Sequence, residues 1–110
     1  MAATNNKTKR LAYCVHIDRE SDRISRIYAW EIPADMPRLH FGETLLVENG
    51  DSTALVFFII ERQVLSIQPI ERKKVLGISK KKISLYDKNY SLLFDAFEDI
   101  KQGIHSAKKV

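Results

Sequence analysis

The side chains whose types and spacing could do chemistry in this chain are six cations within a short stretch. They are Arg72, Lys73, Lys74, Lys80, Lys81 and Lys82. They form two clusters, at residues 72–74 and 80–82. A strand of about six residues would join the clusters, which would then lie roughly 20 Å apart at most. They could follow a phosphate backbone, because each neutralised phosphate releases counterions. The pattern predicts a nucleic-acid or nucleoprotein interface. The alternative is a solvated edge strand whose lysines deter aggregation.

Aromatic side chains could add stacking surfaces to such an interface, because bases stack on exposed rings. A domain of this size needs most of its large residues inside, however. Tyr28 and Trp30 lie on the same face of a predicted strand as Ile32, which favours burial of Trp30. The remaining aromatic residues considered for this role are Tyr13, Phe41, Phe57 and Phe58.

Catalytic and metal sites have little support in the sequence. The three histidines, His16, His40 and His105, stand apart from one another and lack metal-ligand spacing to a cysteine. The single cysteine, Cys14, lies in a predicted strand, where we expect a small, half-buried residue and not a nucleophile. We place His16 on the polar face of the same strand. The acidic groups at residues 18–22 and 95–99 are expected on a solvated turn and on the polar face of a helix. We therefore predict no enzymatic activity, no metal and no cofactor.

Composition is typical of one small globular domain. The chain has 110 residues, 45% of them hydrophobic, a net charge of +4 and a pI of about 9.3. No apolar run approaches the roughly 20 residues that cross a bilayer, so no membrane association is expected. One cysteine cannot form an internal disulfide, which favours the cytoplasm. We divide the chain into a disordered tail at 1–9, a domain at 10–105 and a basic tail at 106–110.

Alternating apolar residues predict an antiparallel sheet. The expected strands cover about 11–17, 27–32, 43–48, 53–65 and 73–78, with a further short strand at 83–86. Asn49-Gly50 predicts a tight hairpin turn, because its central residues need positive φ. Pro33 should end the second strand, since proline cannot donate to the ladder. Gly77 is a candidate for a bulge.

The periodicity changes near the C-terminus. Spacings of three and four predict a helix at about 89–102, with Asp87 or Asn89 as its cap and Gly103 after its last turn. The helix should pack over the sheet; the alternative is a protein interface formed by Tyr90, Phe94 and Phe97. The predicted fold is α+β and mostly β. It is a curled antiparallel sheet of five to six strands, or a small barrel, with one C-terminal helix.

Part of the sequence also resembles a known family. The pattern Tyr28-x-Trp30-x-x-Pro33, then Gly42-Glu43-x-Leu45-x-Val47 and a turn at Gly50, resembles a small uncharacterised family of phages and mobile elements of Gram-positive bacteria. The likeness covers residues 27–78. It implies an SH3-like barrel and a phage setting, in which small proteins such as anti-CRISPRs often inhibit host machinery. It brings no catalytic residues.

These observations lead to three hypotheses about function. The first is a non-enzymatic protein that binds nucleic acid or a host nucleoprotein through the cations at 72–82. The second is an inhibitor from a phage or mobile element, similar to anti-CRISPR proteins, that occludes a protein partner such as a nuclease. The third is a structural or oligomerisation module. The chain is expected to be a monomer or a homodimer.

Overall fold

The computed structural model describes residues 8–18, 23–65, 72–85 and 87–103. In this part of the chain, most residues lie in strands and one helix follows them. The elements are β1 (Thr8–Val15), β2 (Ile17–Asp18), β3 (Arg23–Ile24), β4 (Tyr28–Ile32), β5 (Thr44–Asn49), β6 (Ser52–Leu65), β7 (Val75–Ser79) and α1 (Asp87–Lys101).

Five strands form one antiparallel sheet in the order β4-β1-β6-β5-β7. The sheet is strongly curled, and the curl brings its two edge strands, β4 and β7, together at one point. There Glu31 of β4 bridges Lys74, directly before β7, and the Glu31 N–H donates to the Lys73 carbonyl at 2.8 Å. Beyond this bridge the edges are not paired within the described ranges. The predicted curled sheet is therefore confirmed, and it does not close into a barrel.

The concave face of the sheet encloses the main core. Even-numbered residues of β1 and β4 meet odd-numbered residues of β5 there, because side chains alternate between faces along each strand. The indole of Trp30 reaches across the curl and donates from Nε1 to the Glu48 carbonyl at 2.8 Å. Trp30 is only 5% exposed, which confirms its predicted burial. The buried members of this core are Ala12, Cys14, Trp30, Ile32, Leu39, Leu45, Val47, Val56, Phe58 and Val75.

The convex face is covered by α1 and by the small β2–β3 hairpin. Leu93 of α1 packs against Val15, Phe57 and Ile59, and Ile100 packs against β1 near the helix C-terminus. The helix begins at Asp87 and ends at Lys101, close to its predicted range. Gly103 follows with φ +77°, the left-handed conformation expected after a helix.

Burial of β1 differs from the prediction. The sequence pattern indicated a half-buried strand, but Leu11 to Val15 are all buried. The reason is that β1 lies inside the sheet, between β4 and β6, and has the concave core on one face and α1 on the other. Cys14 is therefore fully buried and not half-buried. The strand starts at Thr8, so Thr8 and Lys9 belong to the sheet and not to the tail.

Two further details correct the sequence analysis. In the β5–β6 hairpin, Asn49 pairs with Ser52, so the two central residues are Gly50 and Asp51 instead of Asn49 and Gly50. Gly50 has φ +64°, which a glycine adopts without a Cβ penalty. The predicted short strand at 83–86 is wrong: residues 83–85 form no strand, and their side chains Ile83 and Leu85 instead pack against the convex core.

Other predictions are confirmed. β4 ends at Ile32, directly before Pro33. β6 extends from Ser52 to Leu65, the longest strand, as expected from its apolar run. A register shift in the β5–β7 pair lies opposite residues 75–77, where Gly77 predicted a bulge.

Candidate functional site

One end of the concave core opens into a cleft of about 450 Å³, which we name the mouth cleft. Four strand ends meet there: the end of β1, the start of β4, the end of β5 and the residues before β7. Its position follows from the antiparallel order of the sheet, which brings these termini to the same end. The lining residues are His16, Tyr28, Ala29, Trp30, Glu48, Asn49, Arg72 and Lys73.

The wall of the mouth cleft is aromatic. The His16 ring meets Tyr28 and Trp30 edge-on, with centroid distances of 5.7 and 5.6 Å. The guanidinium of Arg26 lies over the Tyr28 ring, 5.2 Å from its centroid. A guanidinium resting on an aromatic ring presents a planar cationic surface, and bases stack on both kinds of plane. This corner of the cleft can therefore accept a flat ring with negative charge nearby.

Two cations, Arg72 and Lys73, also line the mouth cleft. Arg72 is half-buried and Lys73 is exposed. The backbone around them is fixed, because the Lys73 carbonyl accepts from Glu31 and the Lys74 N–H donates to Glu48 Oε1 at 2.8 Å. These bonds tie the first cationic cluster to the point where the sheet edges meet. The cleft therefore joins aromatic and cationic groups in a defined geometry.

Two further polar side chains line the cleft, the acid Glu48 and the amide Asn49. One oxygen of the Glu48 carboxylate already accepts the Lys74 amide, and Asn49 offers an exposed amide beside it. Burial lowers the pKa of His16 from its ordinary value, because desolvation disfavours the imidazolium. At neutral pH His16 is therefore uncharged and acts as a packing ring. Its prediction as a residue of the polar strand face is wrong, since it contacts Tyr28 and Trp30.

The six predicted cations do not form one surface. Arg72, Lys73 and Lys74 precede β7, whereas the three residues Lys80 to Lys82 follow it and are all exposed. Lys82 lines a separate cleft of about 600 Å³ with His40, Tyr90 and residues before α1. A strand of five residues separates the clusters, so they lie at opposite ends of β7. Only the first cluster shares a cleft with aromatic rings of the concave core.

The predicted interface residues of α1 surround a different aromatic side chain, Phe41. Its ring lies 5.6 Å from Tyr90, 5.5 Å from Phe94 and 5.2 Å from Phe97, measured between centroids. Tyr90 and Phe94 remain 49% and 43% exposed, whereas Phe97 is half-buried in the convex core. This cluster therefore holds α1 to the loop before β5 and also leaves two rings accessible.

The opposite end of the concave core is held by Arg10. Its guanidinium forms a bidentate pair with Glu61, with distances of 2.7 and 3.0 Å. It also donates to the carbonyls of Pro33, Met36 and Pro37 at 3.2, 2.6 and 3.2 Å. Glu61 raises the pKa of Arg10, so the guanidinium stays charged. Because its donors are used, Arg10 is a structural residue and not a free cation.

Comparisons with protein-family models, with curated proteins and with solved structures found no match to this chain. The resemblance to the family of phages and mobile elements therefore stays a prediction. In the described ranges, no three His, Cys, Asp or Glu side chains come together as a metal site. No helix in this part of the chain is long and apolar enough to cross a membrane.

Sequence reasoning missed His16 and Asn49 as cleft residues and Arg26 as the cation over the Tyr28 ring. The sequence held a signal for Arg26. Residues two apart in an extended chain lie on the same face, and Arg26 stands two residues before Tyr28 and four before Trp30. A second signal lay in side-chain size. Ala12 and Cys14 of β1 pair directly with Trp30 and Tyr28 of β4, and small residues opposite large rings leave the rings room to pack.

Proposed function

We propose that this chain binds single-stranded nucleic acid, without catalysing a reaction, through the mouth cleft. The observation that carries the proposal is the meeting of Arg72 and Lys73 with the Arg26–Tyr28 pair around one opening. Phosphates contact the cations while an unpaired base stacks at the aromatic corner. A single strand is favoured because a base inside a duplex cannot leave its stack without an energetic cost of a few kcal/mol.

The number of cations at the cleft sets the expected salt dependence. Three side chains, Arg26, Arg72 and Lys73, stand beside the aromatic corner. For single strands the logarithm of affinity falls with a slope of about 0.7 per neutralised phosphate, so three contacts predict about 20-fold weaker binding at 200 than at 50 mM salt. A much steeper slope would mean that more cations than those of the cleft take part.

The decisive test compares two triple variants with the same change of charge. One is R72A/K73A/K74A, at the cleft, and the other is K80A/K81A/K82A, at the far end of β7. Fluorescence anisotropy with labelled DNA and RNA 12-mers measures affinity at both salt concentrations. We expect the first variant to bind more than tenfold more weakly and with a shallower salt slope, and the second to lose less than threefold. Equal losses would mean that net charge alone drives binding, and absence of binding by the unmodified chain would refute the proposal.

The aromatic corner has its own test. Stacking of one base on a ring contributes about 1–3 kcal/mol, so replacing the ring should weaken binding by about tenfold. Tyr28→Leu removes the ring at the cleft, and Tyr90→Leu removes an exposed ring elsewhere as the matched control. We expect only Tyr28→Leu to weaken binding. If both variants bind as the unmodified chain does, no base stacks at Tyr28.

A second candidate function is occlusion of a protein partner by the exposed side of α1. Its supporting observation is that Tyr90 and Phe94, four residues apart and so on one face of the helix, expose 49% and 43% of their surface. If the chain inhibits a CRISPR nuclease, its expression should rescue a targeted phage in a host that carries that nuclease. Y90A/F94A should abolish the rescue and leave nucleic-acid binding unchanged, whereas R72A/K73A/K74A should do the reverse. Rescue that survives Y90A/F94A would exclude this surface.

A further inference from the structure

We propose that the outer edge of β7 accepts an extended segment of another protein as an added strand. The segment has an apolar centre and acidic residues on both sides of it. This interaction goes beyond nucleic-acid binding, because it uses the backbone of β7; the two interactions share Lys73. The inference rests on three properties of β7: an open edge, exposed apolar side chains, and positive charge at both ends.

The edge of β7 is open along the strand. On its inner side, β7 pairs with β5 from Val75 to Ser79. On its outer side, within the described ranges, the only bridge is the contact between Lys74 and Glu31 before the strand begins. The outward N–H and C=O groups of the strand therefore lack strand partners. Such a row of groups is a template for pairing with an extended chain.

Apolar surface is available beside this edge. Leu76 and Ile78 are 48% and 42% exposed, the two exposed large apolar residues of β7. An incoming strand could cover Leu76 and Ile78 with its own apolar side chains. Cross-strand apolar pairs of this kind stabilise a sheet.

Charge identifies the occupant. Lys73 and Lys74 lie before β7, Lys80 to Lys82 lie after it, and all five are exposed. A second copy of β7 in antiparallel pairing would set each cluster against the other cluster, and in parallel pairing against itself. Either arrangement places like charges opposite each other, which is destabilising. A segment of another protein with Asp or Glu on both flanks would instead pair with lysines at both ends.

The test uses two labelled peptides with the same centre and opposite flanks, EEVTVTVEE and KKVTVTVKK. Exposed ion pairs contribute little each, and four of them together should favour the acidic peptide by about tenfold at low salt. Fluorescence anisotropy measures both affinities. If the two peptides bind equally, or neither binds, the proposal is refuted and the lysines serve only to keep the edge from aggregating.

Two further measurements separate strand addition from simple charge attraction. N-methylation of alternate backbone amides in the acidic peptide should abolish binding in one register and leave it unchanged in the other, because only every second amide faces β7. L76E/I78E should weaken binding more than tenfold. The matched control L65E/L92E, which adds the same charge at two other exposed leucines, should lose less than threefold. Equal effects of both methylation registers, or of both double variants, would refute strand addition.

Discussion

The Arg10–Glu61 pair gives the sharpest quantitative prediction for this fold. Breaking a fully buried ion pair from one side costs about 3–5 kcal/mol, because the remaining charge is left without a partner. The side chains of Arg10 and Glu61 are 19% and 21% exposed, so water recovers part of that cost. We expect Arg10→Met, which keeps the apolar stem, to lower the free energy of unfolding by about 2–3 kcal/mol.

Equilibrium unfolding in urea measures this loss. With a typical slope for a small domain, the midpoint should fall by about 1–2 M. The matched control is Lys9→Met, the neighbouring cation of β1. Lys9 lies 3.4 Å from Glu31 with 46% of its side chain exposed, and such an exposed pair contributes about 0–1 kcal/mol.

A double-mutant cycle tests the assigned cause. Arg10→Met, Glu61→Gln and the double variant should show a coupling energy of at least about 1 kcal/mol, because each side chain is the other's main partner. The carbonyls of the loop at 33–37 lose their donor in both Arg10 variants, so their contribution cancels in the cycle. If Arg10→Met costs no more than Lys9→Met, the guanidinium does not hold this loop to the sheet. A coupling near zero would mean that the pairing of Arg10 with Glu61 is not the cause of the loss.

Three further predictions follow from the concave core. Trp30→Phe leaves the Glu48 carbonyl without its donor and should cost about 1–3 kcal/mol in urea unfolding, so an unchanged midpoint would contradict that role. Because burial lowers the pKa of His16, the stability it contributes is complete above its ordinary value of 6.5 and is lost as pH falls through the lower folded value. His16→Asn should therefore flatten the decline of the urea midpoint below about pH 6.5. A decline as steep as that of the unmodified chain would contradict this contribution of His16. Burial raises the pKa of the Cys14 thiol, so a thiol reagent should modify it only after unfolding, and rapid modification of the folded chain would contradict its position.

The elements of this fold were largely predictable because their signals are local. The alternation along β5 and β6, the helical spacing after Tyr90 and the stop at Pro33 each depend on neighbours in sequence. The predicted strand at 83–86 failed because a short apolar run does not distinguish a strand from a segment that packs irregularly. Ile83 and Leu85 meet the need for burial by covering the convex core without joining the sheet.

The order of the strands was not predictable in the same way. Nothing in the alternation of β1 shows whether it lies at an edge or between two partners. Its position between β4 and β6 buries both of its faces. Cys14, expected to be half-buried, is therefore a core residue, and His16, expected on the polar face, lines the cleft. Side-chain size was the better guide, because Ala12 and Cys14 complement the large rings of β4 across the pair.

The candidate site is harder to predict than the fold for the same reason. His16, Tyr28, Asn49 and Arg72 are far apart in sequence and meet only because four strand ends share one end of the sheet. A cluster read from the sequence, such as the cations at 72–82, instead runs along a strand and is divided by it. Arg72 and Lys73, before β7, line the mouth cleft, whereas Lys82, after β7, lines a different cleft beside Tyr90. The division gives the two halves different neighbours, and variants with equal charge changes can therefore assign each half a separate role.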